Sequence, residues 1–394
     1  MPMKASDLKS NADRILSQAA ATGDPPGVVA MAASRAGTLY EGAFGKRVLG
    51  REAPMTLDTV VALASMTKAI TATAAMQLVE QGRLDLEGPA SRWTPELASI
   101  PVLEGFDAAG QPRTRPPKRP ITLRHLLTHT AGFGYEIWNA EVQRYVQATG
   151  MPPMSTGKNA ALRTPLLFDP GERWQYGINI DWVGKIIEAV SGKRLGVYLK
   201  ENVLDPLGMN DTAFKIAPAM RKRLAKHHQR GEDGKLAPIE REVVQNPEFE
   251  AGGGGLYSTA GDYLHFVRMI LNGGKGNGHT LLKPETVQAM SRNQMGDLYV
   301  RMLHTNQPHL SNDAEFFPGM PKQWGFAFQI TMERAPTGRS PGSLSWAGLP
   351  NTYYWIDPAL GIGGVYLTQV LPFADRISLP LFYEFEKAVY RSVA

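Results

Sequence analysis

Apolar residues along the chain fall into short runs and stripes that name their elements. Val28, Val29, Ala30 and Met31 form an unbroken run, Arg35-Ala36-Gly37 reads as a turn, and Leu39, Tyr40 and Phe44 return. This pattern predicts a hairpin over residues 26–45. Ile70, Ala74, Leu78 and Val79 recur at helical spacing, which predicts an amphipathic helix over 65–81 with Ser65 as its cap and Gly82 as its stop. Trp182, Val183, Ile186, Ile187 and Val190 form a second stripe over 181–191, ended by Gly192. A short helix is expected over 121–128, another near 260–272 and a last one from about 376. Residues 352–356 and 362–369 read as strands paired around Asp357-Pro358. A Pro/Arg-rich loop spans 107–120, and the run Gly252–Gly255 demands either unusual torsions or a close approach. Strands at both ends with helices between predict an α/β (α+β) chain whose sheet is built from both termini. The expected division is an α/β domain from residues 1–80 and 240–394 with a mostly helical domain from 81–239.

Composition narrows the function classes. The 394 residues fit one large or two closely packed domains, with 43% hydrophobic and 20% charged residues. A net charge of +5 gives no case for nucleic acid. The absence of cysteine excludes disulfides, thiolate catalysis and cysteine metal sites. No apolar segment follows Lys4, so no signal peptide is expected, and no stretch of about 18 apolar residues predicts a membrane span. Cytoplasm is the default expectation; oligomeric state is not legible.

The chemistry-bearing pattern is S-x-x-K. A serine one helical turn before a lysine shares a face with it, so the amine can take the hydroxyl proton. The pattern occurs three times, at Ser6/Lys9, Ser65/Lys68 and Ser155/Lys158. Context separates them. Ser6 lies in a polar N-terminal helix, and Ser155 in a Pro/Gly-rich loop, whereas Ser65 follows the apolar approach Val60–Ala64 and opens the alanine-rich helix. Read alone, the pair is as compatible with a capping serine and a solvated lysine. A competing G-x-S-x-G stands at Gly338–Gly342. It lacks the strand before and the helix after that a nucleophile elbow requires.

Other features read as structural. His125 and His129 have the spacing of two zinc ligands, but Leu126 stands where H-E-x-x-H needs glutamate, so no metal and no cofactor are expected. The basic run Arg221–Arg230 reads as a solvated helix face, and Gly273–Gly278 as a turn without the phosphate-loop lysine pattern.

Ser65-Met66-Thr67-Lys68 is followed in order by Leu123–Gly132, Pro170–Tyr176, Gly253–Thr259 and Trp346-Ala347-Gly348. This succession, from about residue 20 to 370, resembles the class C β-lactamase and DD-peptidase superfamily, and especially its family VIII carboxylesterase branch. The resemblance implies an antiparallel sheet flanked by helices plus a mostly helical region. It also implies that Ser65 is acylated, that Lys68 and Tyr176 share the base work, and that the backbone N–H groups of Ser65 and Leu349 form the oxyanion hole. Trp346, Ala347, Gly348 and Tyr135 are then expected to line the substrate pocket, with Trp138 and Trp355 as weaker candidates.

The sequence departs from the lactamase pattern twice. Tyr176 is followed by Gly177 and Ile178, and no Y-x-N occurs. Trp346 stands where that pattern has a lysine or histidine cation, as in the W-x-G form of the esterase branch. An indole there favours neutral acyl or alkoxy groups over a carboxylate. The leading expectation is hydrolysis of small-molecule carboxylic esters through an acyl-enzyme. The alternatives are acyl transfer on the same residues, weak β-lactamase or DD-peptidase activity, and a catalytically silent binding protein.

Overall fold

The computed structural model describes residues 5–393, with side chains from Asp7 onward. The main sheet takes strands from both ends of the chain: β1 (Gly27–Ser34), β2 (Thr38–Gly45), β3 (Lys322–Trp324), β4 (Gln329–Thr331), β5 (Leu344–Gly348), β6 (Thr352–Asp357) and β7 (Ile362–Leu367). Its seven strands run in the order β3-β4-β5-β6-β7-β1-β2, every neighbour antiparallel. The predicted hairpin is β1–β2, and the predicted C-terminal pair is β6–β7.

Both faces of the central sheet are covered, so β5, β6, β7 and nearly all of β1 are buried on both sides, while the edge strand β2 exposes Thr38 and Glu41. Alternation along β6 shows the division. Tyr353 stacks on Phe382 of the C-terminal helix Ser378–Val393, and Tyr354 on the next position meets Tyr263 on the opposite face. The helices used below are α1 (Ala5–Ala21), α2 (Thr67–Glu80), α3 (Asn179–Ser191), α4 (Ala260–Leu271) and α5 (Ser378–Val393). Helices α1 and α5 pack together on one face, where Tyr40 of β2 bonds to Asp13 and meets Phe385. Helix α4 covers the other face, and its Tyr263 hydroxyl donates to the Met66 carbonyl just ahead of α2.

Helix α2 is not amphipathic as expected: every residue from Thr67 to Leu78 is buried. Its small side chains let α3 and the glycine run approach closely, as where Thr71 Oγ1 donates to the Gly252 carbonyl at 2.8 Å. The 107–120 segment is likewise not all loop. Asp107 Oδ1 accepts from the N–H groups of Ala109 and Gln111, and Pro112–Arg115 returns as a strand against Val102–Phe106. The basic run is not a solvated helix face. It passes from a short helix into a strand at His227–Arg230, and its cations pair with acids: Arg221 with Glu242, Arg223 with Asp211, Lys226 with Glu240, and Arg230 with Asp24 and Asp375. Segment 81–239 carries most of the shorter helices, together with the 102–115 hairpin and the strands His227–Arg230 and Leu236–Ile239. Among the described residues no helix is long and apolar enough to cross a membrane.

Candidate active site

Ser65 sits in a single 3-10 turn, Ala64–Met66, that leads into α2. It does not cap the helix through its side chain, because the position before α2 is Met66 with helical torsions. Instead the hydroxyl faces Lys68. The turn is aimed by strain: Ala64 is left-handed at φ 46°, a conformation that costs a non-glycine residue about 1–2 kcal/mol. Neighbours hold it there. Leu63 N–H donates to Leu256 O at 2.9 Å, and the Leu63 carbonyl accepts from Thr352 Oγ1 at 3.1 Å. Gly348 packs against that carbonyl so closely that a Cβ would lie 2.1 Å from it.

Lys68 is fully buried, and its Nζ contacts Ser65 Oγ at 3.0 Å, Tyr135 OH at 3.1 Å and the Gly253 carbonyl at 2.6 Å. Burial lowers its pKa to about 7, against an upward pull from Asp181. Tyr176 lies beside it, with Lys68 Nζ 4.7 Å from the centre of its ring. Burial pushes the Tyr176 phenol up, against hydrogen bonds to Ser65 and Trp346 that pull it down. Sequence reasoning left open which of the two is the base; burial moves the amine toward its neutral form and the phenol away from ionisation.

The structure brings Ser65, Lys68 and Tyr176 together and distributes the pocket candidates differently. Ser65, Tyr135, Trp138 and Leu349 line a cleft of about 830 Å³. Leu349 follows directly on β5 and shares the cleft wall with Ser65. Trp346 does not line the cleft. It is buried behind Tyr176, donates its indole N–H to the Tyr176 hydroxyl at 2.9 Å, and packs on Trp324 and Phe316. Ala347 and Gly348 share that buried strand and also stay out of the cleft lining. Trp355 faces α5 on the far side of the sheet, against Phe382 and Phe385. Gly177, which follows Tyr176, packs on the Phe133 carbonyl, where a Cβ would come within 2.2 Å.

Asp181 is the residue that sequence reasoning missed. It is buried in the first turn of α3. Its Oδ1 accepts from Gly253 N–H at 2.9 Å, and its Oδ2 lies 3.5 Å from Tyr135 OH. Burial raises its pKa, against the downward pull of Lys68. The glycine run is the sequence trace of this contact. Gly252, Gly253 and Gly255 serve close approach and not left-handed torsions: a Cβ on Gly253 would lie 2.6 Å from the Asp181 carboxylate, one on Gly252 2.9 Å from Ile180 O and one on Gly255 2.7 Å from the Phe214 ring, whereas Gly254 has ordinary room.

The competing motifs are not brought into such an arrangement. Ser155 and Lys158 are both exposed, and Gly157 between them is left-handed at φ 64°, so no helical turn joins them; Ser155 itself lies on the cleft wall. The Ser6 side chain lies outside the described residues, and Lys9 pairs with Asp13 on the surface. Ser340 is buried in a loop, its N–H on Asp357 and its neighbour Arg339 paired with Glu386. His125 Nδ1 accepts from Thr122 N–H in a capping box, and His129 pairs with Asn179, so the two rings serve different partners. Among the described residues no group of three or more acids and histidines could hold a metal.

The beta-lactamase family model matches residues 12–383. The chain belongs to this beta-lactamase family. Its relatives include proteins named for acyl transfer and one named for ester hydrolysis. Monacolin J acid methylbutanoyltransferase from Aspergillus terreus is 34% identical over 381 residues, covering 93% of this chain and 91% of that protein. Lovastatin esterase from Penicillium rubens is 31% identical and covers 94% of this chain and 95% of that protein. A solved structure of a simvastatin synthase mutant from Aspergillus terreus superposes with a TM-score of 0.85 at 32% identity, covering 99% of this chain and 96% of that one. These likenesses support the antiparallel sheet and flanking helices of the beta-lactamase fold.

Proposed function

We propose that this chain is a serine acyltransferase that carries an acyl group as an ester on Ser65 and passes it to an alcohol, with hydrolysis by water as the competing outcome. The observation that carries the reading is the Lys68 amine, 3.0 Å from Ser65 Oγ and lowered to about 7, beneath an open cleft. Neutral Lys68 takes the Ser65 proton as Oγ attacks the carbonyl of the donor. The N–H groups of Ser65 and Leu349 receive the negative charge on the carbonyl oxygen. Tyr176, protonated and fixed by Trp346, hands its proton to the leaving oxygen and takes in turn the proton that Lys68 received, so the amine is neutral again when the acyl-enzyme has formed. In the second half the acceptor hydroxyl loses its proton to Lys68, and Ser65 leaves with a proton regained.

The sequence alone put hydrolysis first. Two observations favour transfer. Relatives sharing about a third of their residues across nearly the whole chain include a methylbutanoyltransferase. The cleft, at about 830 Å³, has the size of a site for a drug-sized molecule and exceeds what a short acyl group fills. The esterase relative keeps hydrolysis as the second reading.

The experiment is partition of the acyl-enzyme. Purified protein is given a p-nitrophenyl ester with rising concentrations of a bulky secondary alcohol, and the new ester and free acid are quantified. Transfer predicts a new ester that grows at the expense of the acid. Acid alone at saturating alcohol makes the protein an esterase. No nitrophenol release with any donor removes both readings.

A further inference from the structure

Asp181 stands behind the Ser65–Lys68 pair and has no part in the steps above. It reaches the amine by two routes. Oδ1 accepts from Gly253 N–H at 2.9 Å, and the carbonyl of that same glycine accepts from Lys68 Nζ at 2.6 Å. Oδ2 lies 3.5 Å from Tyr135 OH, which itself lies 3.1 Å from Lys68 Nζ. The carboxylate is 2% exposed, so water does not screen it. The titratable groups that act on Lys68 or face it are Ser65, Tyr135, Tyr176, His129 and Asp181. Burial keeps His129 neutral and both phenols protonated. Asp181 is the one carboxylate in the set.

We propose that Asp181 is a positioning residue for acyl transfer: through Gly253 and Tyr135 it orients the Lys68 amine toward Ser65, and it stabilises the ammonium formed there. The inference rests on the Ser65 acyl-enzyme reading. As the Ser65 Oγ–carbon bond forms, the hydroxyl proton moves to Lys68 Nζ and creates a cation in a buried site. A buried cation without a counter-charge is strongly disfavoured. Asp181 supplies that counter-charge until the carbon–oxygen bond to the leaving group breaks, the leaving oxygen takes the Tyr176 proton, and the phenol takes the proton of Lys68 in turn. Lys68 is then neutral again, and Asp181 has neither gained nor lost a proton.

The role has a signature of two effects. The carboxylate pulls the Lys68 pKa up, so its removal makes neutral amine available at lower pH. The same removal leaves the ammonium unsupported during attack and slows the step. A purely structural role produces neither the direction of that pH shift nor its pairing with slower attack.

The test is the rate at which Ser65 reacts with a fluorophosphonate probe, followed by mass spectrometry as a function of pH. Asp181→Asn keeps an acceptor for Gly253 N–H and removes the charge. It is expected to move the acid limb of labelling down by about half a pH unit or more and to slow the plateau about tenfold. A folded Asp181→Asn protein with limb and plateau unchanged overturns the proposal. Tyr135→Phe, which breaks the phenol route and leaves the charge, is expected to slow labelling about threefold or more. It decides alone if Asp181→Asn does not fold, and an unchanged rate overturns the proposal. A native chain that is never labelled at Ser65 rejects the acyl-enzyme reading itself and this inference with it.

Discussion

The indole N–H of Trp346 donates to the hydroxyl oxygen of Tyr176 at 2.9 Å, with the two ring centres 4.9 Å apart. The residue that replaces the lactamase cation thus acts on the phenol from behind. The indole donor fixes the Tyr176 hydroxyl beside the Lys68 amine, whose Nζ lies 4.7 Å from the centre of the phenol ring.

Trp346→Phe keeps the packing against Tyr176 and Trp324 and removes this donor. The expected outcome is a fall in kcat of about tenfold with KM nearly unchanged, since a hydrogen bond of about 1–1.5 kcal/mol is lost next to the reacting groups. Steady-state kinetics with a p-nitrophenyl ester checks it. Equal loss in KM alone assigns Trp346 to substrate contact and contradicts the geometry.

The pH profile follows from Lys68. Its pKa is lowered to about 7, and only the neutral amine can take the Ser65 proton, so kcat/KM should rise with pH through about 7 and then level. Tyr176 is pushed above its ordinary value, so a falling limb from the phenol lies far to the alkaline side. A profile flat from mildly acidic to mildly alkaline pH rules out Lys68 as the base.

Gly348 serves the backbone of the nucleophile turn. Gly348→Ala drives a Cβ to within 2.1 Å of the Leu63 carbonyl, two residues before Ser65. The expected result is a loss of stability of about 1–3 kcal/mol from overpacking, and a fall in kcat/KM of about a hundredfold from displaced Ser65. Chemical denaturation and ester kinetics measure the two separately. Full activity removes the clamp on Leu63 from the account.

Much of the scaffold was legible because its apolar residues repeat with the period of their element. The 27–45 hairpin, helices α3, α4 and α5 and the β6–β7 pair all follow that rule. The Ser65–Lys68 pair was legible from spacing and context. Tyr176 and Trp346 were legible only through the order of family motifs, since an isolated tyrosine or tryptophan reads as core. Asp181 was not legible. A carboxylate in the first turn of a helix reads as a complement to the helix dipole, and its partner Gly253 is 72 residues away. Distance in sequence also hid Asp24 and Asp375, which pair with Arg230 from 206 and 145 residues away. Helix α2 was misjudged because alanine and threonine pack on every side of a central helix without an apolar stripe.

The most direct measurement is the site of acylation. The native chain and its Ser65→Ala, Ser155→Ala and Ser340→Ala variants are mixed with a p-nitrophenyl ester, quenched in acid and mapped by peptide mass spectrometry. The account predicts an acyl adduct on Ser65 in the native chain and in the last two variants, and neither adduct nor nitrophenol release in Ser65→Ala. An adduct on another serine, or full turnover by Ser65→Ala, contradicts it.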